Sequence, residues 1–214
     1  MIALPKVGIV GCGFVGGAIA QGFSTFAEIK IFDKLKPGFD SMEEVAAQDF
    51  IFVSVPTQTK KSGEQVLEHL LEVGEKLNVL SRLNARRPVV ILKSTMLPGT
   101  TRMLADRFQA PRWVFSPEFL TARAARLDFI NAARIVIGMD RSDPEPAHLV
   151  KELFAFRFPT TPIHMMGWEE AELVKYMANC FFSLKVSYLN EIFDVCQALG
   201  ADYEVVKAAW LADG

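Results

Sequence analysis

The sequence predicts an α/β fold, a mostly parallel, doubly wound sheet with crossover helices, followed by one long α-helix. Three observations carry this. Short β-branched runs alternate with helical stretches through the first three quarters of the chain, the pattern of parallel strands joined by helices. A glycine-rich turn, Gly11-Cys12-Gly13-Phe14-Val15-Gly16, follows the first apolar run and opens a helical one. Residues 169–199 contain neither glycine nor proline, so nothing interrupts a helix of about 31 residues, roughly 46 Å long. Two regions are expected, residues 1–165 for the sheet domain and residues 166–214 for the long helix with a short helical segment after it.

Residues 6–10 are apolar enough for a buried strand, and 14 to about 26 form the helix after the glycine turn. Residues 28–32 are the second strand. Ser41 with Glu44 three residues on spells a capping box for a short helix. A strand is expected over 50–55 and a helix over 64–83, with further buried strands over 88–92, 113–116 and 134–138. Asp143-Pro144 starts another helix, since proline suits the first helical position. Residues 160–163 are expected to close the sheet. Gly200 caps the long helix, and residues 201–212 make a last short one. Phe181, Leu184, Tyr188, Ile192 and Val195 line one face of the long helix, while Phe182, Val186, Leu189 and Phe193 make other faces apolar. Such a helix is expected to be buried on most sides.

A chain of 214 residues fits one large domain, or one domain with a small appendage. Half of it is hydrophobic and the formal net charge is −2, which argues for a substantial core. With no basic block beyond Lys60-Lys61 and Arg86-Arg87, nucleic acid is not expected as a partner. Residues 7–27 carry no charge, yet Gly8, Gly11, Gly13, Gly16, Gly17 and Gly22 each cost a continuous helix about 1 kcal/mol relative to alanine. A membrane span is therefore not expected, and neither is a signal peptide. The cysteines, Cys12, Cys180 and Cys196, have no metal spacing, and no metal site is expected. They read as reduced, buried thiols of a cytoplasmic protein.

The glycine turn carries the first chemical signal. In a strand-turn-helix setting, Gly11 permits the tight turn, Gly13 lets a pyrophosphate approach the backbone, and Gly16 lets helix and strand pack closely. The helix N-terminus offers free N–H groups to the phosphates. Asp33 ends the second strand, where a carboxylate accepts hydrogen bonds from the adenosine ribose. Together these define a Rossmann-type dinucleotide site. Asp33 favours NAD over NADP by repelling a 2′-phosphate, a preference that Lys34 beside it would partly offset. Polar or backbone-bending residues also end the other strands: Pro56-Thr57, Lys93-Ser94-Thr95 and Pro117-Glu118. In open α/β sheets, ligands bind outside the carboxyl ends of the strands, so these residues are expected to share one cleft. The expected cofactor contacts are Gly11, Gly13, Phe14, Val15, Gly16, Asp33, Lys34, Val55, Pro56, Thr57, Ser94, Thr95 and Glu118. Lys175 and Asn179 lie four apart on the long helix and so share a face. Such a pair orients a hydroxyl, stabilises an oxyanion or moves a proton, and its apolar neighbours argue that it is desolvated.

Read together, the residues resemble the UDP-glucose/GDP-mannose dehydrogenase family over the whole chain. The likeness rests on Gly11 to Gly16, Asp33, Val55-Pro56-Thr57, Lys93-Ser94-Thr95 with Pro98-Gly99-Thr100, and Ser116-Pro117-Glu118-Phe119-Leu120. It continues through Arg134-Ile135-Val136-Ile137-Gly138 and from Glu172-Leu173-Val174-Lys175-Tyr176-Met177-Ala178-Asn179 to Asn190-Glu191-Ile192. The resemblance implies a four-electron oxidation of a nucleotide-sugar C6 alcohol by two NAD molecules, with a cysteine capturing the aldehyde as a thioester precursor. It places Thr95 and Glu118 at the hydrolytic water and Lys175 and Asn179 at the oxyanions, and it makes the long helix a homodimer core. Two departures stand out. Ala122 occupies a position where the family usually has a second glutamate. The 214 residues also end before the family's glycine-rich segment with its nucleophilic cysteine, so a C-terminal domain in trans is an expected partner.

Two other readings stay open on sequence grounds. One is a complete two-electron oxidoreductase of the β-hydroxyacid dehydrogenase kind, which also pairs a Rossmann domain with a helical lysine and asparagine. The other is a non-catalytic NAD-binding and dimerisation module.

Overall fold

The computed structural model describes residues 4–212. Two compact units are distinguished, Met1–Lys175 and Tyr176–Gly214. In the first, strands β1 (Lys6–Val10), β2 (Glu28–Phe32), β3 (Phe50–Val53), β4 (Val89–Leu92), β5 (Arg112–Phe115), β6 (Ile135–Met139) and β7 (Ile163–Gly167) make one sheet. Its order is β2-β1-β3-β4-β5-β6-β7. Strands β1 to β5 run parallel, β6 turns antiparallel to β5, and β7 is parallel to β6. The carboxyl ends of β1 to β5 therefore lie along one edge, and the strand order reverses between β1 and β3. A crevice is expected at such a point in a doubly wound sheet.

Helices cover both faces. On one side lie α1 (Phe14–Phe23), α5 (Ala125–Ile130) and α6 (Glu145–Arg157). They pack Ile19, Phe23, Phe129, Val150 and Phe154 against Ile9, Phe52 and Ile91. On the other lie α2 (Met42–Ala46), α3 (Glu68–Leu83), α4 (Thr100–Arg107) and the first residues of α7 (Trp168–Leu199). They pack Val45, Leu70, Leu77, Leu104 and Trp168 against Ile51, Val53 and Leu92. With both faces covered, β3, β4 and β6 carry consecutive buried residues and no alternation, as parallel, two-sided strands require. The capping box forms as expected, Ser41 Oγ accepting from the Glu44 N–H and the Glu44 carboxylate from the Ser41 N–H.

Several boundaries differ from expectation. The strand expected over 160–163 lies later, at Ile163–Gly167, because Pro162 donates no N–H and supplies only its carbonyl, to the Ile135 N–H. The helix expected from residue 64 starts at Glu68, because Thr59 and Gln65 bridge across a turn first. Helices α4 and α5 were not expected. Helix α4 has little apolar periodicity in the sequence, and among its residues Leu104 is the one large apolar side chain buried.

In the second unit, α7 runs on from Tyr176 to Leu199 and α8 spans Tyr203–Leu211. Gly200, at φ +67, ends α7. The Ala201 N–H bonds the Cys196 carbonyl at 2.9 Å and the Gly200 N–H the Gln197 carbonyl at 3.3 Å, the paired closure of a Schellman turn. Asp202 then caps α8. Phe181, Phe182, Leu184, Val186 and Tyr188 of the long helix are all exposed, so one chain does not by itself supply the burial expected for it. The thiols are corrected too. Cys196 is buried, Cys12 half-buried and Cys180 exposed. Among the described residues no helix is long and apolar enough to cross a membrane.

Candidate active site

At the carboxyl edge of β1 to β5 lies a cleft of about 630 Å³, within the usual range for a small-molecule site. The turn after β1 makes its floor. Gly11 sits at φ +88, a left-handed conformation open to glycine, and its N–H bonds the Phe32 carbonyl at 2.9 Å. A Cβ on Gly16 would collide with the Gly11 carbonyl, so the missing side chain sets how closely α1 approaches the turn. Gly13 is the N-cap of α1, with no side-chain cap and open space where a Cβ would stand. Unpartnered N–H groups facing a cleft in this way suit an anionic group.

The walls come from the strand ends. Gly11, Gly13, Phe14 and Val15 line the cleft from the first turn, Asp33 and Lys34 from β2, and Val55, Pro56 and Thr57 from β3. Ser94 and Thr95 line it from β4 and Glu118 from β5. Of the expected cofactor contacts, Gly16 alone lies outside the lining; it acts on the turn from behind. Asp33 Oδ2 accepts from the Cys12 N–H at 2.7 Å and Oδ1 from the Leu35 N–H at 2.9 Å. Its burial favours the neutral acid, but these two bonds and the Lys36 charge outweigh it and hold the carboxyl below its ordinary value. An ionised carboxylate thus ends β2, ready to accept from ribose hydroxyls. Ser54, also in the lining, has a buried Oγ with no hydrogen-bond partner. The uncapped helix start, the space at Gly13 and the ionised Asp33 all fit a dinucleotide.

At the other end of the cleft Glu118 and Lys93 are in the lining, and Lys175 stands behind Glu118, outside the lining. Lys175, on α7 but in the first unit, donates to Glu118 Oε1 at 2.9 Å and to the Glu118 carbonyl at 2.7 Å. Both side chains are well buried, 5% and 13% exposed. Glu118 Oε2 in turn accepts from the Leu120 N–H at 2.6 Å. Desolvation is thus met at Lys175. Asn179, one turn on, is exposed and belongs to the second unit, so the expectation of a desolvated pair holds for the lysine only.

Three further residues shape this end: Lys93, expected at the cleft and found in its lining, and Gln65 and Glu172, for which no individual role was expected. Lys93 is buried just past the end of β4, its Nζ 3.1 Å from the Pro117 carbonyl and 3.5 Å from Ser116 Oγ. Burial pushes its ammonium down to about 7; the Glu118 carboxylate opposes this and the Lys175 charge adds to it. Gln65 holds the loop after β4, donating to the Thr95 carbonyl at 2.9 Å and accepting from the Leu97 N–H at 3.1 Å. Glu172 accepts from the Gly99 N–H at 2.6 Å, the Thr101 N–H at 2.8 Å and Thr101 Oγ1 at 2.7 Å, tying α7 to the start of α4. Lys93 and Glu172 were readable as members of motifs, whereas nothing in the sequence marked Gln65.

With this geometry in place, comparison with known proteins is decisive. Residues 27–157 match the NAD binding domain of the UDP-glucose/GDP-mannose dehydrogenase family, and residues 169–214 match that family's central domain. The chain belongs to this family, and its cofactor is NAD. The glycine turn precedes the matched stretch, so its reading rests on the geometry above. Among relatives, the UDP-glucose 6-dehydrogenase YwqF of Bacillus subtilis is 32% identical over 169 residues, covering 76% of this chain and 37% of that protein. The UDP-glucose dehydrogenase of Pyrobaculum islandicum superposes with a TM-score of 0.86 at 28% identity, covering 96% of this chain and 56% of that one. The GDP-mannose dehydrogenase of Pseudomonas aeruginosa shares the fold, with a TM-score of 0.83 at 24% identity and the same 56% share. The chain thus spans between about a third and somewhat over half of these proteins.

Proposed function

We propose that this chain is the cofactor-binding and central-helix portion of a nucleotide-sugar 6-dehydrogenase of the UDP-glucose type. In this reading the C6 alcohol of the sugar is oxidised to a carboxylate. The observation that carries it is the buried ion pair of Lys175 with Glu118, whose Glu118 lines the cofactor cleft. When bound, NAD supplies the two-electron acceptor for each of the two oxidations. The α1 N-terminus and Asp33 hold its pyrophosphate and ribose. The Lys175 ammonium, desolvated and held in place, stabilises the oxyanion that develops on the C6 oxygen, where a fixed donor is worth most. Asn179 keeps the part of a second donor that the family likeness gives it. Glu118 and Thr95 hold the water that releases the acid, with Glu118 as the base.

A covalent route to the carboxylate needs a thiolate beside the cleft, and no cysteine lines it among the described residues. The thiol and the nucleotide-sugar pocket are therefore assigned to a C-terminal domain, fused or supplied in trans. Two copies of the chain are proposed to pair through the exposed apolar face of α7, since a contiguous patch of this kind marks an interface. A cytoplasmic location is part of the same reading, since an exposed thiol such as Cys180 stays reduced there.

The test is turnover. The 214 residues alone should bind NAD in calorimetry and give no steady NADH from UDP-glucose or GDP-mannose. Adding the C-terminal half of a relative should give two NADH per sugar, and Lys175→Ala should lower that rate by about 3 kcal/mol, roughly a hundredfold. Enzyme-like NADH formation by the chain alone would replace this reading with a complete two-electron oxidoreductase.

A further inference from the structure

The adenosine end of the cleft carries more charge than a neutral ribose needs. Lys34 follows Asp33 directly, and both line the cleft together with Glu72 and Lys76 of α3. Lys34 does not stand free. Its Nζ lies 3.0 Å from each oxygen of the Glu72 carboxylate, and Lys76 Nζ reaches Glu72 Oε1 at 3.0 Å from the next turn of the same helix. Hydrogen bonds from Lys34 first and Lys76 second hold the Glu72 carboxyl at about 2, so it stays ionised at any working pH. Lys36 is occupied as well, donating to the Cys12 carbonyl.

A group bound through the ribose hydroxyls at Asp33 places its 2′ position within side-chain reach of the adjacent Lys34. With Glu72 absent, two ammonium groups would face that position, a ready site for a phosphate carrying close to two negative charges. With Glu72 present, one ammonium is bonded to both of its oxygens and the other to one of them. Exposed pairs of this kind add little to stability, which leaves the field they set up in the cleft as their consequence.

We propose that Glu72 is a specificity-determining residue for the cofactor: by binding Lys34 and Lys76 it withholds both ammonium groups from a ribose 2′-phosphate, so Asp33 and Glu72 together select NAD over NADP. The proposal rests on the cofactor reading of the cleft and adds a second gate to Asp33. The two act differently. Asp33 attracts the hydroxyl form and repels the phosphate, whereas Glu72 leaves the hydroxyl form untouched and removes the phosphate's partners.

The experiment measures NAD and NADP dissociation constants by calorimetry for the wild-type chain, for Glu72→Gln, and for Glu72→Gln combined with Lys34→Met. Freeing the lysines should raise the ratio of NADP to NAD affinity about tenfold, about 1.4 kcal/mol. The gain should shrink in half-molar salt, which screens exposed charges, and Lys34→Met should remove most of it. A ratio within threefold of wild type in Glu72→Gln overturns the proposal, as does a gain that survives Lys34→Met. In both cases normal NAD binding by the wild type leaves the cofactor reading standing. A folded wild-type chain that binds neither nucleotide overturns both.

Discussion

Lys93 offers a direct test of the site's electrostatics. Its ammonium is buried, and that burial is the leading cause that pushes it down to about 7 from an ordinary value of 10.5. In the unfolded chain the same group keeps its proton up to about 10.4. Between these limits the unfolded state binds more protons, so stability rises with pH across the window from about 7 to 10.5. The full cost of burying the charge is present below 7 and gone above 10.5. At about 1.4 kcal/mol per pH unit, it approaches roughly 5 kcal/mol. Replacing the lysine by methionine keeps the length of the side chain and removes the titration. The variant also loses the bonds to the Pro117 carbonyl and Ser116 Oγ, an offset that does not vary with pH. The charged neighbours Glu118 and Lys175 are present in both proteins, so their own titration largely cancels in the difference. Urea unfolding of wild type and Lys93→Met should therefore show wild type gaining on the variant by roughly 2 kcal/mol between pH 7 and pH 9. Parallel stability curves over that range would mean that Lys93 titrates as a solvated lysine, and the picture of a dry site behind Glu118 would fall.

Asp33→Ala removes the carboxylate that ends β2, and NAD affinity should drop at least tenfold, about 1.4 kcal/mol, with NADP affected less; unchanged NAD affinity in calorimetry would remove Asp33 from the ribose site. Gly16→Ala forces a methyl onto the Gly11 carbonyl and should cost about 1–3 kcal/mol in thermal or urea unfolding. Gly17→Ala, with nothing within 4 Å of the new carbon, should be neutral or gain up to about 1 kcal/mol; equal effects at the two positions would contradict the packing described. Light scattering should find a dimer at micromolar concentration that Tyr188→Glu dissociates, and a wild-type monomer would remove α7 as the pairing surface.

The five parallel strands were legible because each is a short apolar run ended by a residue with a chemical reason to be there, and parallel strands put all those ends on one edge. The cofactor end of the cleft followed from that alone. Strand direction was not legible beyond β5: the runs at β6 and β7 look like the others, and direction lies in how strands pair, not in their residues. Helix α4 escaped notice for a related reason. Its start is fixed by Glu172, more than 70 residues away in sequence, so no local capping signal marks it. Lys93 was visible as part of a motif, but its burial depends on Ser116 and Pro117 arriving from the neighbouring strand. The same holds for Lys34. In the sequence it stood as a cation that weakened the preference for NAD. Glu72 and Lys76 share one face of α3, a spacing that the sequence does show. That this face turns toward the end of β2 is set by Leu70 and Leu77, which bury the opposite side of the helix in the core. Residues that bind backbone can be read where they stand, whereas a residue that controls another residue's charge becomes visible when the two elements carrying them are packed.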